Sequence, residues 1–75
     1  MKAILEFNLP EDQSDFDLAV NGAKAKVALW DMDQWLRSQT KYAPDDMSED
    51  TYKAFELCRE QLHEFVHDNN INLEA

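Results

Sequence analysis

Residues 11–42 read as one long helix that carries apolar side chains on two faces. At ~100° per residue, Phe16, Ala19, Val20, Ala23, Val27 and Trp30 fall on one stripe. Leu18, Ala25, Leu29, Met32 and Leu36 fall on a second stripe roughly opposite, with Ala28 and Trp35 toward one side. A surface helix needs one apolar stripe, whereas a helix with two is covered from two sides. The rest of the chain offers only one more helix. Cover is therefore short, and a binding or self-associating protein is expected.

The one objection to a continuous helix is Asn21-Gly22, a pair suited to a hairpin turn. Phe16, Val20, Ala23 and Val27 keep helical spacing straight across it, and no alternation of period two appears on either side. Gly22 then reads as a weak point, about 1 kcal/mol worse than alanine, where another backbone can come close. Pro10 suits the first turn, and Glu11, Asp12, Asp15 and Asp17 place negative charge at the positive end of the helix dipole. Ser14 with Asp17 is a second, weaker start signal. Arg37 and Lys41 favour the negative end, and Pro44 stops the helix.

A second helix is expected over about 49–68, with Ser48 as its N-cap, Met47 and Tyr52 at staple positions, and Asn69-Asn70 at its end. Ala54, Phe55, Cys58, Leu62, Phe65 and Val66 form its single stripe, with Leu57 at the edge. Upstream, Leu5, Phe7 and Leu9 share a face at period two, so a short N-terminal β-strand is expected. A lone strand needs a partner, which must be the tail at 71–73, a second copy or a bound protein.

Length locates the missing cover. At 1.5 Å per residue the first helix spans ~48 Å and the second ~30 Å, so an antiparallel hairpin covers the first only to about Val20–Lys24. Phe16, Leu18 and Val20 project beyond it, and one lateral stripe stays bare. The expected architecture is a mainly α, single-domain antiparallel αα-hairpin with a short strand, dimerised through Phe16, Leu18, Val20 and Val27.

Seventy-five residues form one small domain, at a size where a single core is marginal without disulfides, metal or oligomerisation. One cysteine excludes an internal disulfide and fits a reducing compartment. On the apolar stripe, Cys58 is expected to be a buried, inert thiol. Sixteen acids against seven bases give a net charge of −9, which disfavours nucleic acid and anionic membrane as partners. It suits a basic protein surface, including one that normally holds DNA, and it also serves solubility. No apolar run reaches the ~20 residues of a membrane span, and residues 1–9 lack the apolar core of a signal peptide.

Two segments carry candidate chemistry. His63-Glu64-Phe65-Val66-His67 spells H-E-x-x-H, in which two histidines one turn apart bind zinc and the glutamate activates water. Only eight residues follow it and there is no further histidine for a third ligand, so a solvated polar face is the preferred reading. A zinc hydrolase is the remote alternative, and no cofactor is expected. Trp30-Asp31-Met32-Asp33-Gln34-Trp35-Leu36-Arg37 is the densest aromatic and charged segment, of a composition enriched at energetic centres of interfaces. Trp30 and Trp35 point about 140° apart, so either both are covered by a hairpin or dimer, or one is an exposed anchor, Trp35 before Trp30. Trp30, Asp33, Trp35 and Arg37 are the candidate partner-binding residues, with Asp33–Arg37 expected as a surface i,i+4 pair. The acids at 11–17 and 45–50 fit helix N-termini; a nucleic-acid-mimicking row is the alternative. No catalytic triad, phosphate loop or zinc cysteine pair is present in the sequence.

With Leu5-Glu6-Phe7-Asn8-Leu9-Pro10-Glu11-Asp12, Phe16, Ala19, Gly22, Leu29-Trp30-Asp31, Asp33-Gln34-Trp35-Leu36-Arg37, Lys41-Tyr42 and Ile71-Asn72-Leu73, the chain resembles a group of small acidic proteins encoded by tailed bacteriophages. The resemblance implies expression in a bacterial cytoplasm and a role in phage replication or host takeover; it supplies no catalytic assignment and no site residues. The expected function is a non-enzymatic phage accessory protein that binds a host or phage protein. A structural self-associating dimer without a foreign partner is the alternative.

Overall fold

The computed structural model describes residues 1–74 and consists of two α-helices, α1 (Gln13–Lys41) and α2 (Glu49–Asp68), packed against each other as a hairpin. The α1 helix runs unbroken through Asn21-Gly22, and a Cβ added at Gly22 would meet nothing within 4 Å. Its entry lies two residues later than the acids and Pro10 predict. Asp12 is the N-cap, but its carboxylate turns backward to accept from the Asn8 backbone N–H (2.9 Å), while the Asp12 N–H donates to the Asn8 carbonyl (2.8 Å). The 9–12 turn thus holds Glu11 and Asp12 outside the helix, which opens at Gln13 without a side-chain cap. At the other end, Tyr42 N–H closes on the Ser38 carbonyl (3.0 Å) and Pro44 follows.

The α2 helix occupies the expected 49–68 and starts as its sequence dictates. The Thr51 N–H donates to Ser48 Oγ at 3.1 Å, and Glu49 pairs with Lys53 at 3.1 Å. Asn70 ends it in the left-handed region at φ 57°, a conformation asparagine tolerates. The Ile71 N–H reaches the Val66 carbonyl (2.9 Å) and the Asn70 N–H the His67 carbonyl (3.0 Å), a Schellman cap. That cap throws the tail back over the last turns of α2.

The predicted N-terminal β-strand is absent from the described residues. Its candidate partner is already engaged: Ile71 spends its N–H on capping α2, so no extended tail edge is presented. Residues 1–8 instead run without regular structure, fixed where Phe7 stacks edge-on against Phe16 with ring centroids 5.8 Å apart.

Packing follows one seam. Along it α1 sets Leu29, Asp33, Leu36 and Thr40, and α2 sets Phe55, Arg59, Leu62 and Val66, each at least partly covered. Both sets repeat at i, i+4, i+7 and i+11, the spacing of one helical stripe. Among the described residues only Leu36 (6% exposed), Val66 (7%) and Asp33 (6%) are buried, and no side chain there is completely so. The predicted α2 stripe is therefore rotated: Cys58, Ala54 and Phe65 fall outside it and are exposed. Arg59 takes the seam position because Asp33 faces it, which turns Cys58 outward.

The molecule is far from compact. Its radius of gyration is 17.6 Å, against ~11 Å for an ordinary 75-residue domain. Its accessible surface is 6569 Å², whereas a folded monomer of 8.8 kDa has ~4,800 Å².

Candidate functional site

The centre of the seam is polar. Asp33 receives Arg59 Nε at 2.8 Å and His63 Nε2 at 2.6 Å on Oδ1, with Gln34 Nε2 at 3.2 Å and a long Arg59 Nη2 contact of 3.4 Å on Oδ2. Because a carboxylate only accepts, the His63 Nε2 carries a proton, which leaves Nδ1 as the free nitrogen. The hydrogen bond from Arg59 holds the Asp33 carboxyl below its ordinary pKa against the upward push of burial, with the His63 hydrogen bond and the Arg59 charge helping. The same hydrogen bond raises Arg59 above its ordinary value. No polar side-chain atom buried in this structure lacks a partner among the described residues.

Two sequence expectations are corrected here. Asp33 does not pair with Arg37 one turn along α1; it faces α2, where Arg59 and His63 bind it, and it is too buried to serve as a partner-binding residue. His63 does not belong to a purely solvated face; one side of its ring closes the interhelical network, although half of the side chain stays exposed. Glu64 points elsewhere and accepts from Gln61 (3.4 Å), and no set of three metal-ligating side chains converges among the described residues. The network joins an acid between Leu29 and Leu36 on one side of the seam to a base between Phe55 and Val66 on the other.

Beside the network opens a cleft of ≈ 600 Å³, large enough for a small ligand. The α1 helix supplies Trp30, Asp33, Gln34 and Arg37 to one wall, and α2 supplies Arg59, His63, Val66 and His67 to the other. The returned tail closes its end with Ile71, Asn72, Leu73 and Glu74. Of the four predicted partner-binding residues, Trp30, Asp33 and Arg37 meet here, whereas Trp35 lies outside, resting edge-on against Phe55 at 5.9 Å. Serine, threonine and cysteine are missing from the lining, so the Asp33–His63 pair has no hydroxyl or thiol there to activate.

The second candidate is the bare length of α1. Positions 17–25 are exposed throughout, and the uncovered apolar set includes Leu18 (73%), Val20, Val27 (58%), Trp30, Met32 and Trp35. The α2 helix covers Leu29 and Leu36 of the second sequence stripe but not Met32, and it leaves Val20, Val27 and Trp30 of the first one open. Of the predicted interface residues, Leu18, Val20 and Val27 face solvent, and Phe16 is half-covered by Phe7. No helix among the described residues is long and apolar enough to cross a membrane. No protein-family model matches the chain, and no curated protein or solved structure does either.

Proposed function

We propose that the protein is a non-enzymatic binding protein that completes its core on another protein chain, first of all a second copy of itself. The excess of surface carries this reading. The hairpin exposes ~1,800 Å² more than a compact monomer of its mass, and a stable interface buries ~800 Å² or more per partner. The bare length of α1, with Val20 and Val27 on one face and Leu18 on the other, is where such surface lies. A foreign protein with a basic surface is the second reading, supported by a net charge of −9 and by Glu11, Asp15, Asp17, Asp45, Asp46, Glu49 and Asp50, all exposed. The resemblance to small acidic phage proteins supports an accessory role of that kind in a bacterial cytoplasm.

Light scattering on fractionated protein over a wide concentration range tests self-association. A dimer is expected, with Val27→Asp weakening it at least about tenfold through a charge buried at the seam. A wild-type protein that stays monomeric throughout, with an unchanged helical spectrum, would overturn self-association and leave the foreign partner. Trp35→Ala in affinity capture then asks whether that indole is the anchor.

A further inference from the structure

We infer that the cleft at the open end of the hairpin is a binding site for an organic carboxylate with an apolar body. The argument begins with charge. Of the cationic groups in the cleft, Arg59 is committed to Asp33, whereas the Arg37 guanidinium has no partner among the described residues. An unpaired guanidinium presents a planar fork that matches a carboxylate with two parallel hydrogen bonds. His67 stands on the opposite wall, one turn beyond His63, and its ring is likewise without a hydrogen-bond partner in the described structure.

Shape gives the other half of the ligand. Trp30 and Leu73 are shared between this polar cleft and an adjoining hollow of ≈ 380 Å³ that is completed by Ala23, Lys26 and Val27. The two hollows adjoin at Trp30 and Leu73, the first cationic at its Arg37 end and the second mostly apolar. The Trp30 indole is 43% exposed at the junction, placed to cover a flat or aliphatic group. An inorganic anion would use only one of the two hollows. Polyphosphates meet Asp33 and Glu74 in the lining and a strongly acidic surface around it. A single carboxylate joined to an aryl or alkyl group satisfies both.

The Asp33 network gives the cleft a fixed wall. Arg59 and His63 are held in place by the buried carboxylate, so the side chains facing Arg37 are ordered before any ligand arrives. Two sources carry the inferred chemistry: a free organic acid, and the C-terminal carboxylate of a peptide that ends in an apolar residue.

The test follows the fluorescence of Trp30 in a Trp35→Phe background, using 3-phenylpropionate, its primary amide, acetate, and a short peptide ending in phenylalanine with either a free or an amidated C-terminus. The acid is expected to bind saturably, with the amide and acetate at least about tenfold weaker. Arg37→Gln, at an exposed and unpartnered position that folding does not need, is expected to cost the acid a similar factor while leaving the melting temperature unchanged. Stronger binding by the free-carboxylate peptide than by 3-phenylpropionate would assign the site to peptide termini; equal or weaker binding would assign it to small acids. Equal binding of acid and amide, full affinity in Arg37→Gln, or the absence of any saturable change with the acid and the peptide would each overturn the proposal. His67→Ala provides a second variant, expected to weaken the acid without altering the amide.

Discussion

Replacing Asp33 with alanine removes the only buried charge among the described residues, and the cost can be worked from its neighbours. Asp33 accepts two short charge-assisted bonds, at 2.8 Å from Arg59 and 2.6 Å from His63, and a weaker one from Gln34. Deeply buried, such bonds contribute about 1.5–3 kcal/mol each; at an exposed surface an ion pair contributes about 0–1 kcal/mol. The Arg59 side chain is 33% exposed and that of His63 51%, so both reach water once Asp33 is gone and little orphaning penalty arises. A loss of about 2 kcal/mol follows, or roughly 10 °C in Tm for a domain this small. Arg59→Ala is expected to cost more, about 3 kcal/mol, because it leaves a buried carboxylate with only His63 and Gln34 to hold it. The assay is urea and thermal unfolding followed by helical circular dichroism at fixed protein concentration, with both single variants and the double one. The coupling between Asp33 and Arg59 is expected at about 1–2 kcal/mol, and replacing both by apolar residues of similar volume should restore most of the stability. Equal costs for the two single variants, or a double variant whose cost is the sum of the singles, would refute the claim that burial is concentrated on the Asp33 side.

Acid provides a related check. The Asp33 pKa is depressed in the folded state, so its contribution is fully present above the ordinary aspartate value of ~3.9 and is lost as pH falls through the lower folded value. Stability curves of wild type and Asp33→Ala are therefore expected to converge below about pH 4, as unfolding at stepped pH would show. Leu36→Ala, at the best-buried apolar position, is expected to cost about 2–3 kcal/mol in urea unfolding, whereas Leu18→Ala on the bare face should cost the isolated hairpin under ~0.5 kcal/mol. Gly22→Ala is expected to raise helical stability by about 0.5–1 kcal/mol, because the helix is regular there and the added methyl group meets open space. A loss of stability at high protein concentration only would instead place Gly22 against a second chain.

Much of this architecture was legible in the residues. The phase of Phe16, Val20, Ala23 and Val27 carried α1 across Asn21-Gly22, and Ser48 with Asn69-Asn70 delimited α2 at its observed ends. The length comparison of the two helices located the bare segment around Leu18 and Val20. What escaped were choices that depend on the facing element. Asp33 has Arg37 within reach on its own helix, and nothing local shows that α2 offers Arg59 and His63 instead. The same facing contact rotates α2 and turns Cys58 to solvent. Phe7 fits a strand pattern as well as it fits an edge-on cover for Phe16, and only the capping of α2 by Ile71 removes the strand's partner.

The charged site at the centre of the seam bears on the alignment of the two helices. Leu29, Leu36, Phe55, Leu62 and Val66 are similar enough that sliding one helix along the other by a turn, about 5.4 Å, would exchange one greasy contact for another. Asp33 disfavours that slide. Moved by a turn, its carboxylate would meet Arg59 alone or the histidines His63 and His67, and never Arg59 and His63 together. The clamp therefore acts as an index pin: it selects one register from several that hydrophobicity alone leaves nearly equal in energy. In a hairpin with so small a core, one aspartate bears on the alignment of the helices as well as on their stability.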